Sequence, residues 1–134
     1  MKLKTQLVCL QILLLLISLT PGYAITFYHY TNKAGADAIQ RSGFIRQSKN
    51  PKYAHFGNGV YGTEMGPENG KVAIAKNNYR GGWKANLKRG RLDYAIKFEL
   101  PSSKVATVSK DRDILLYKGD LSLKTNPYKV IRVQ

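Results

Sequence analysis

The sequence predicts an α+β domain over residues 25–134, with one or two helices in the N-terminal half and short strands in the remainder. Apolar residues recur at helical spacing in two stretches before residue 80. After residue 93, β-branched and aromatic residues form short runs separated by Gly, Pro, Asn and Asp, a pattern typical of strands joined by turns. The length of this region suits a single domain with one core.

Residues 1–24 have the pattern of a secretory signal peptide. Lys2 and Lys4 form a basic start, residues 7–19 are almost wholly apolar, and small residues precede a cleavage site after Ala24. An uncleaved membrane anchor is disfavoured, because a transmembrane helix needs about 20 apolar residues. We therefore expect a secreted monomer with no stable membrane anchor and a folded domain that begins at residue 25.

In the N-terminal half, residues 25–30 predict a first strand that is rich in β-branched and aromatic residues. Thr31 and Asn32 offer capping side chains for a helix over residues 33–41, and Gly43 is placed to end that helix in the left-handed conformation. Residues 44–47 predict a short second strand.

The middle of the chain begins with a polar loop at 50–58 and a strand at 59–63. Pro67 is placed at the start of a second helix that reaches about Tyr79, and a basic loop at 84–91 follows. The remaining chain predicts strands at 94–100, 105–108, 114–117, 121–123 and 128–133.

The chain is strongly basic, with a formal net charge of +14. Removing the signal takes away two lysines and leaves +12, an excess that steers a protein towards polyanions or a dinucleotide. The predicted basic loop, with Lys84, Lys88, Arg89 and Arg91, is a candidate guide for an acidic acceptor, either protein or nucleic acid. The alternative is a soluble surface whose lysines have no specific partner.

The folded region carries no cysteine, because the single cysteine, Cys9, lies within the signal. We therefore expect no disulfide and, with only two histidines, no metal site. Cysteine–histidine catalysis is excluded on the same ground, and no local signature indicates a serine nucleophile.

Three motifs occur in order along the chain: Tyr-His-Tyr-Thr at 28–31, Gly-Val-Tyr-Gly-Thr at 59–63, and Lys-Gly-Asp-Leu-Ser-Leu at 118–123. This layout resembles the poly(ADP-ribose)-polymerase-like clan of ADP-ribosyltransferases, and in particular its secreted toxin branch with a His-Tyr-Asp signature. The resemblance implies a split two-sheet fold with a cleft between the sheets. It also implies that NAD is the substrate, cleaved at the nicotinamide–ribose bond without a metal, with ADP-ribose passing to a macromolecule or to water.

Within that resemblance, His29 matches the histidine that hydrogen-bonds a ribose hydroxyl of NAD. The backbone of Tyr30, where relatives usually have glycine, and the hydroxyl of Thr31 would hold the nicotinamide amide. The alternative for His29 is an edge-strand histidine bonded to its own neighbours.

Tyr61 matches the tyrosine whose ring stacks on nicotinamide, and Gly59 and Gly62 would let the cofactor approach the backbone closely. Tyr79 resembles a second tyrosine that covers the other face of the ring. The alternative for either tyrosine is simple packing in the core.

The third signature position is an acid that stabilises the oxocarbenium-like ribose left when nicotinamide departs. Asp120 fits it best, because it opens a late β-type run. Asp113 is the competitor, and the alternative for either aspartate is a turn residue that bonds its own backbone. Two rival functions remain: a non-catalytic NAD- or ADP-ribose-binding module, and a secreted cationic protein that binds nucleic acid or membranes.

Overall fold

The computed structural model describes residues 23–134, so that the predicted signal peptide, apart from Tyr23 and Ala24, lies outside the described residues. Helices α1, α2 and α3 span Lys33–Ser42, Lys71–Tyr79 and Trp83–Lys88. Strands β1 to β8 span Ala24–Thr31, Phe44–Ile45, Val60–Gly62, Tyr94–Pro101, Val105–Thr107, Leu115–Tyr117, Leu121–Ser122 and Tyr128–Arg132. Within residues 23–134, no helix is both long and apolar enough to cross a membrane.

The strands form three antiparallel sheets with the orders β1-β4-β8, β3-β6-β5 and β2-β7. Strand β1 pairs with β4 along its whole length, from Ala24 opposite Pro101 to Thr31 opposite Tyr94. A single bridge also joins β1 to the chain just after β3, because Tyr28 and Thr63 exchange backbone hydrogen bonds of 2.8 and 3.0 Å. The predicted α+β class is confirmed, and the three α-helices of residues 23–134 all precede β4.

Helix α1 begins and ends where the sequence predicts. The side chain of Asn32 accepts a hydrogen bond of 2.8 Å from the Gly35 N–H, which satisfies one of the open donors of the first turn. Gly43 has φ 78° and donates its N–H to the Ile39 carbonyl at 2.8 Å, the left-handed end that glycine favours.

The predicted basic loop at 84–91 is wrong over its first part, because Trp83–Lys88 forms helix α3. Trp83 and Leu87, four residues apart on this helix, pack against the buried cluster that includes Ile74 and Leu92. This packing stabilises a short helix even though Gly81 and Gly82 interrupt the local pattern. The second helix also starts later than predicted, since Pro67 opens a 3₁₀ turn and α2 begins at Lys71.

Strand β1 contributes to both clusters of the core. Phe27 is fully buried with Phe98 and Leu100 in one cluster, whereas Tyr28 and Tyr30 belong to the other. Because alternate residues of a strand face opposite sides, β1 is covered on both faces and its position is tightly fixed.

Gly59 and Gly62, which flank Tyr61, have a packing role in the fold. The sequence analysis related them only to the close approach of the cofactor. A Cβ on Gly62 would overlap the ring of Phe27, and a Cβ on Gly59 would overlap Leu116 and the Tyr117 carbonyl. Gly62 therefore allows the strand to lie against the Phe27 ring, whether or not a ligand is bound.

This contact predicts that Gly62→Ala destabilises the protein. The added methyl group has no space beside Phe27, and such overpacking costs about 1–3 kcal/mol. Gly81→Ala is the matched control, since nothing lies within 4 Å of its Cβ position, and its effect should stay within about 0.5 kcal/mol. Urea unfolding midpoints measure both, and equal midpoints for the two variants would contradict the packing role.

Candidate active site

A cavity of about 480 Å³ brings together strand β1, strand β3, the end of helix α2, the 50–58 loop and the chain before β6. Four of the six site residues predicted from the sequence line it: His29, Tyr30, Tyr61 and Tyr79. Its other lining residues are Tyr28, Ser48, Lys52, Tyr53, His55, Phe56, Gly62, Asn78, Arg80, Arg112 and Ile114. Thr31 and Asp120 are not among the lining residues.

His29 is held by a hydrogen bond of 2.8 Å between its Nδ1 and the carbonyl of Tyr61. Because a carbonyl only accepts, Nδ1 carries the proton, and Nε2 of the neutral ring is left as an acceptor. Burial lowers the pKa of His29 below its ordinary value, and the bond to Tyr61 offsets part of this effect. The ring is therefore neutral at pH 7 and suited to accept a hydroxyl hydrogen.

Tyr61 links its strand to the 50–58 loop through its hydroxyl group. The hydroxyl donates to the Gly57 carbonyl at 2.6 Å and accepts from the Phe56 N–H at 3.0 Å. This loop carries four of the cavity-lining residues: Lys52, Tyr53, His55 and Phe56. The Tyr61 ring thus contributes to the cavity wall while its hydroxyl fixes the loop that forms the next part of the wall.

Tyr30 and Tyr79 lie in the second core cluster as well as at the cavity. The Tyr30 hydroxyl donates to the Met65 carbonyl at 2.7 Å, and its ring stacks on Tyr28 with centroids 6.2 Å apart. Burial raises the pKa of both Tyr30 and Tyr79. Both hydroxyls therefore stay protonated at neutral pH, and both residues combine a packing role with a place in the cavity wall.

Thr31 lies at the junction of β1 and α1 and does not line the cavity. Its Oγ1 occupies the space into which a Cβ on Gly35 would project. The structure therefore places this hydroxyl against the start of helix α1, away from the position that the sequence analysis predicted for it.

Asp120 immediately precedes β7, and its carboxylate is tied to the segment after β2. One oxygen accepts from the Gln47 N–H at 2.9 Å and the other from Arg46 Nη1 at 3.1 Å. The Gln47 hydrogen bond first, and the Arg46 guanidinium second, hold the pKa of Asp120 below its ordinary range. The carboxylate is thus ionised and sits beside Gln47, whose neighbour Ser48 lines the cavity.

Asp113 joins three parts of the fold. Its carboxylate accepts from the Glu64 N–H at 2.9 Å, and its backbone exchanges two hydrogen bonds with the Asn77 side chain, at 2.8 and 2.9 Å. The carboxylate therefore bonds the chain after β3 and not its own turn. These contacts give Asp113 a structural role that needs no ligand.

Arg80 and Arg112 are cavity residues that the sequence analysis missed. Neither belongs to a local motif, and the run of alternating charges at 111–113 is typical of an exposed turn. The 50–58 loop was predicted as a loop, but nothing in its composition marked it as a cavity wall. Within residues 23–134, no three His, Cys, Asp or Glu side chains are grouped in a way that could hold a metal ion.

Comparison with known proteins gives one match by family. Residues 27–124 match the model of the HYD1 signature containing ADP-ribosyltransferase family, and this range includes His29, Tyr61 and both candidate aspartates. No curated protein and no solved structure gave a significant match. With most of its length matched and with the predicted α+β architecture, the chain belongs to the toxin-type ADP-ribosyltransferases that carry the HYD1 signature.

Proposed function

We propose that this protein cleaves NAD at the nicotinamide–ribose bond and transfers ADP-ribose to a macromolecular acceptor or to water. The observation that carries the proposal is the hydrogen bond between His29 and Tyr61 in the cavity wall of a chain from this family. The bond between them sets the imidazole in the tautomer that can accept a ribose hydroxyl. It does so next to an aromatic ring that lines the same cavity.

Four cavity residues then have a role in holding the nicotinamide end of NAD. Nε2 of His29 accepts a hydrogen bond from a ribose hydroxyl, and the Tyr61 ring stacks on the nicotinamide, a contact worth about 1–3 kcal/mol. Tyr79 covers the other face of the nicotinamide, and the backbone of Tyr30 binds its amide. The shared cavity supports these four assignments.

Asp120 supplies the negative charge in this proposal. In the reaction the C1′–N bond breaks, nicotinamide leaves with the electron pair, and the acceptor attacks C1′ and loses a proton. An ionised carboxylate bonded to the ribose 2′-hydroxyl stabilises the positive charge that develops on the sugar. Each Asp120 oxygen has a second lone pair beyond its bond to Gln47 or Arg46, and nicotinamide leaves readily enough that no metal is required.

A non-catalytic NAD-binding module is the second candidate. The position of Asp120 favours it, since both carboxylate oxygens already have partners and the residue does not line the cavity. Such a module would retain the His29–Tyr61 pair for binding but would release no nicotinamide.

For the acceptor, we propose an acidic macromolecule that docks on the basic surface of helices α2 and α3. We also propose that the protein is secreted before it binds this acceptor. We define this surface by Lys76, Lys84, Lys88 and Arg89, which are exposed and, within residues 23–134, form no ion pair. Arg91 does not belong to it, because its guanidinium is partly buried and donates to Asn86 at 2.7 Å.

The basic surface predicts a salt-dependent association. Changing Lys76, Lys84 and Lys88 to Gln should weaken binding to a single-stranded oligonucleotide of about 20 nucleotides. The slope of the logarithm of the association constant against the logarithm of the salt concentration should also become smaller in magnitude by about 2. Nicotinamide release from NAD should change little. The matched control changes the exposed Lys104, Lys124 and Lys129 to Gln, with an equal loss of charge. Equal slopes for the two triple variants would contradict a localised surface.

The role of Asp120 predicts that Asp120→Asn lowers the rate of nicotinamide release by about 100- to 1,000-fold, because the lost charge acts mainly in the transition state. The affinity for NAD and the thermal midpoint should change much less. Chromatographic measurement of free nicotinamide from NAD gives the rate.

Asp113→Asn is the control for this experiment, and its turnover should be nearly that of the wild type. Loss of turnover in Asp113→Asn but not in Asp120→Asn would reassign the acid. A wild type that binds NAD and releases no nicotinamide would establish the binding module instead.

A further inference from the structure

Two arginines that the signature does not include face the cavity from one side. Arg80 follows helix α2 directly, and Arg112 precedes β6 by a short turn. The cavity residues assigned so far are aromatic: three tyrosines and a neutral histidine. The cavity therefore has two guanidinium groups on one side, and Lys52 is a third cationic residue that lines it from the 50–58 loop.

Only one nitrogen of the Arg112 guanidinium, Nη1, donates hydrogen bonds within residues 23–134. Nη1 donates to the carbonyl of Asn77 at 2.9 Å and lies 3.5 Å from that of Asn78, both at the end of helix α2. Nε is buried and has no partner, and Nη2 forms no hydrogen bond within residues 23–134. The backbone thus fixes the group while the protein leaves much of its donor capacity unused.

Arg80 occupies a backbone conformation that favours glycine. Its φ of 47° and ψ of −120° make it the only non-glycine residue of the described chain with positive φ. Such strain is maintained where the surrounding structure requires it, and it is common at ligand sites. One nitrogen of Arg80 donates to both oxygens of Asp111, at 2.9 and 3.0 Å, and the other donors have no partner in residues 23–134.

Of the two arginines, Arg80 forms a salt bridge with Asp111, whereas Arg112 forms no ion pair within residues 23–134. Asp111 is 67% exposed and also accepts from Ser109, whereas the carboxylate of Asp113 is used by the Glu64 N–H. Burial lowers the pKa of Arg112 and the proximity of Arg80 lowers it further, whereas Asp111 raises it and offsets part of this effect. Asp111 bonds Arg80 but not Arg112, so an anion in the cavity that bonds both guanidinium groups would offset the repulsion that Asp111 leaves.

We propose that Arg80 and Arg112 bind the diphosphate group of the dinucleotide. This proposal rests on the proposed function, because it takes NAD as the ligand. It concerns the diphosphate of NAD, whereas the assignments above concern the nicotinamide end. Guanidinium groups match phosphate oxygens in charge and in the geometry of paired N–H donors. The site then selects dinucleotides over nicotinamide nucleosides, which share the nicotinamide end and lack the diphosphate.

The experiment measures binding of ADP and of adenosine by calorimetry, since neither contains nicotinamide and neither requires turnover. Arg80→Gly removes the guanidinium and suits the positive φ, so that the fold is preserved. ADP affinity should fall by about tenfold or more, the loss expected for one charge-assisted hydrogen bond, while adenosine affinity stays the same. Arg41→Ala, at an exposed arginine outside the cavity, removes the same charge and should leave ADP affinity within about twofold of wild type.

Arg112→Lys is the second variant, because it keeps the charge and loses the planar arrangement of donors. It should also weaken ADP binding and raise the KM for NAD more than it lowers kcat. ADP affinities equal to wild type in both variants, at unchanged unfolding midpoints, would overturn the proposal. A wild type that binds ADP no more tightly than adenosine would overturn it as well. By contrast, a wild type that binds ADP through these arginines but releases no nicotinamide contradicts only the cleavage of NAD.

Discussion

Strand β1 is held in place by its antiparallel pairing with β4 and by a single bridge from Tyr28 to Thr63. These contacts fix β1 relative to β3, and both strands line the cavity. Phe27 fills one core cluster and Tyr28 and Tyr30 fill the other, so that a slip of one residue would place each ring on the wrong face. His29 lies within this doubly covered stretch. Its position is therefore set by the packing of its neighbours and not by its own hydrogen bond alone.

The remaining walls follow from contacts with this framework. Gly62 lets β3 lie against Phe27, which brings the Tyr61 carbonyl within 2.8 Å of His29. The Tyr61 hydroxyl then fixes the 50–58 loop. On the opposite side, the Asn77 side chain holds the backbone of Asp113 and so positions the segment that carries Arg112. The cavity is thus assembled from long-range contacts between parts of the chain that are distant in sequence.

The local features of the fold were predictable because their causes are local. The helix caps at Asn32 and Gly43 and the first strand depend on neighbouring residues only. Helix α3 was missed because Trp83 and Leu87 form it by packing on a distant core, against the local signal of two glycines. The same limit applies to the site. The motifs indicated His29 and Tyr61, but only the folded chain brings Arg80 and Arg112 to the cavity and turns Thr31 away from it.

If the protein binds NAD as proposed, His29 stays neutral, with its proton on Nδ1, and its Nε2 accepts a hydrogen bond from NAD. Nitrogen-detected NMR of the two histidine rings, assigned with His29→Gln, tests this directly during titrations of pH and of NAD. The lowered pKa predicts that His29 becomes protonated only as the pH falls below the ordinary midpoint of 6.5, because partial burial of the ring disfavours the charge. NAD should shift its Nε2 resonance while the Nδ1 proton remains in place. A His29 that titrates at or above 6.5, or whose Nε2 resonance is insensitive to saturating NAD, would contradict the account.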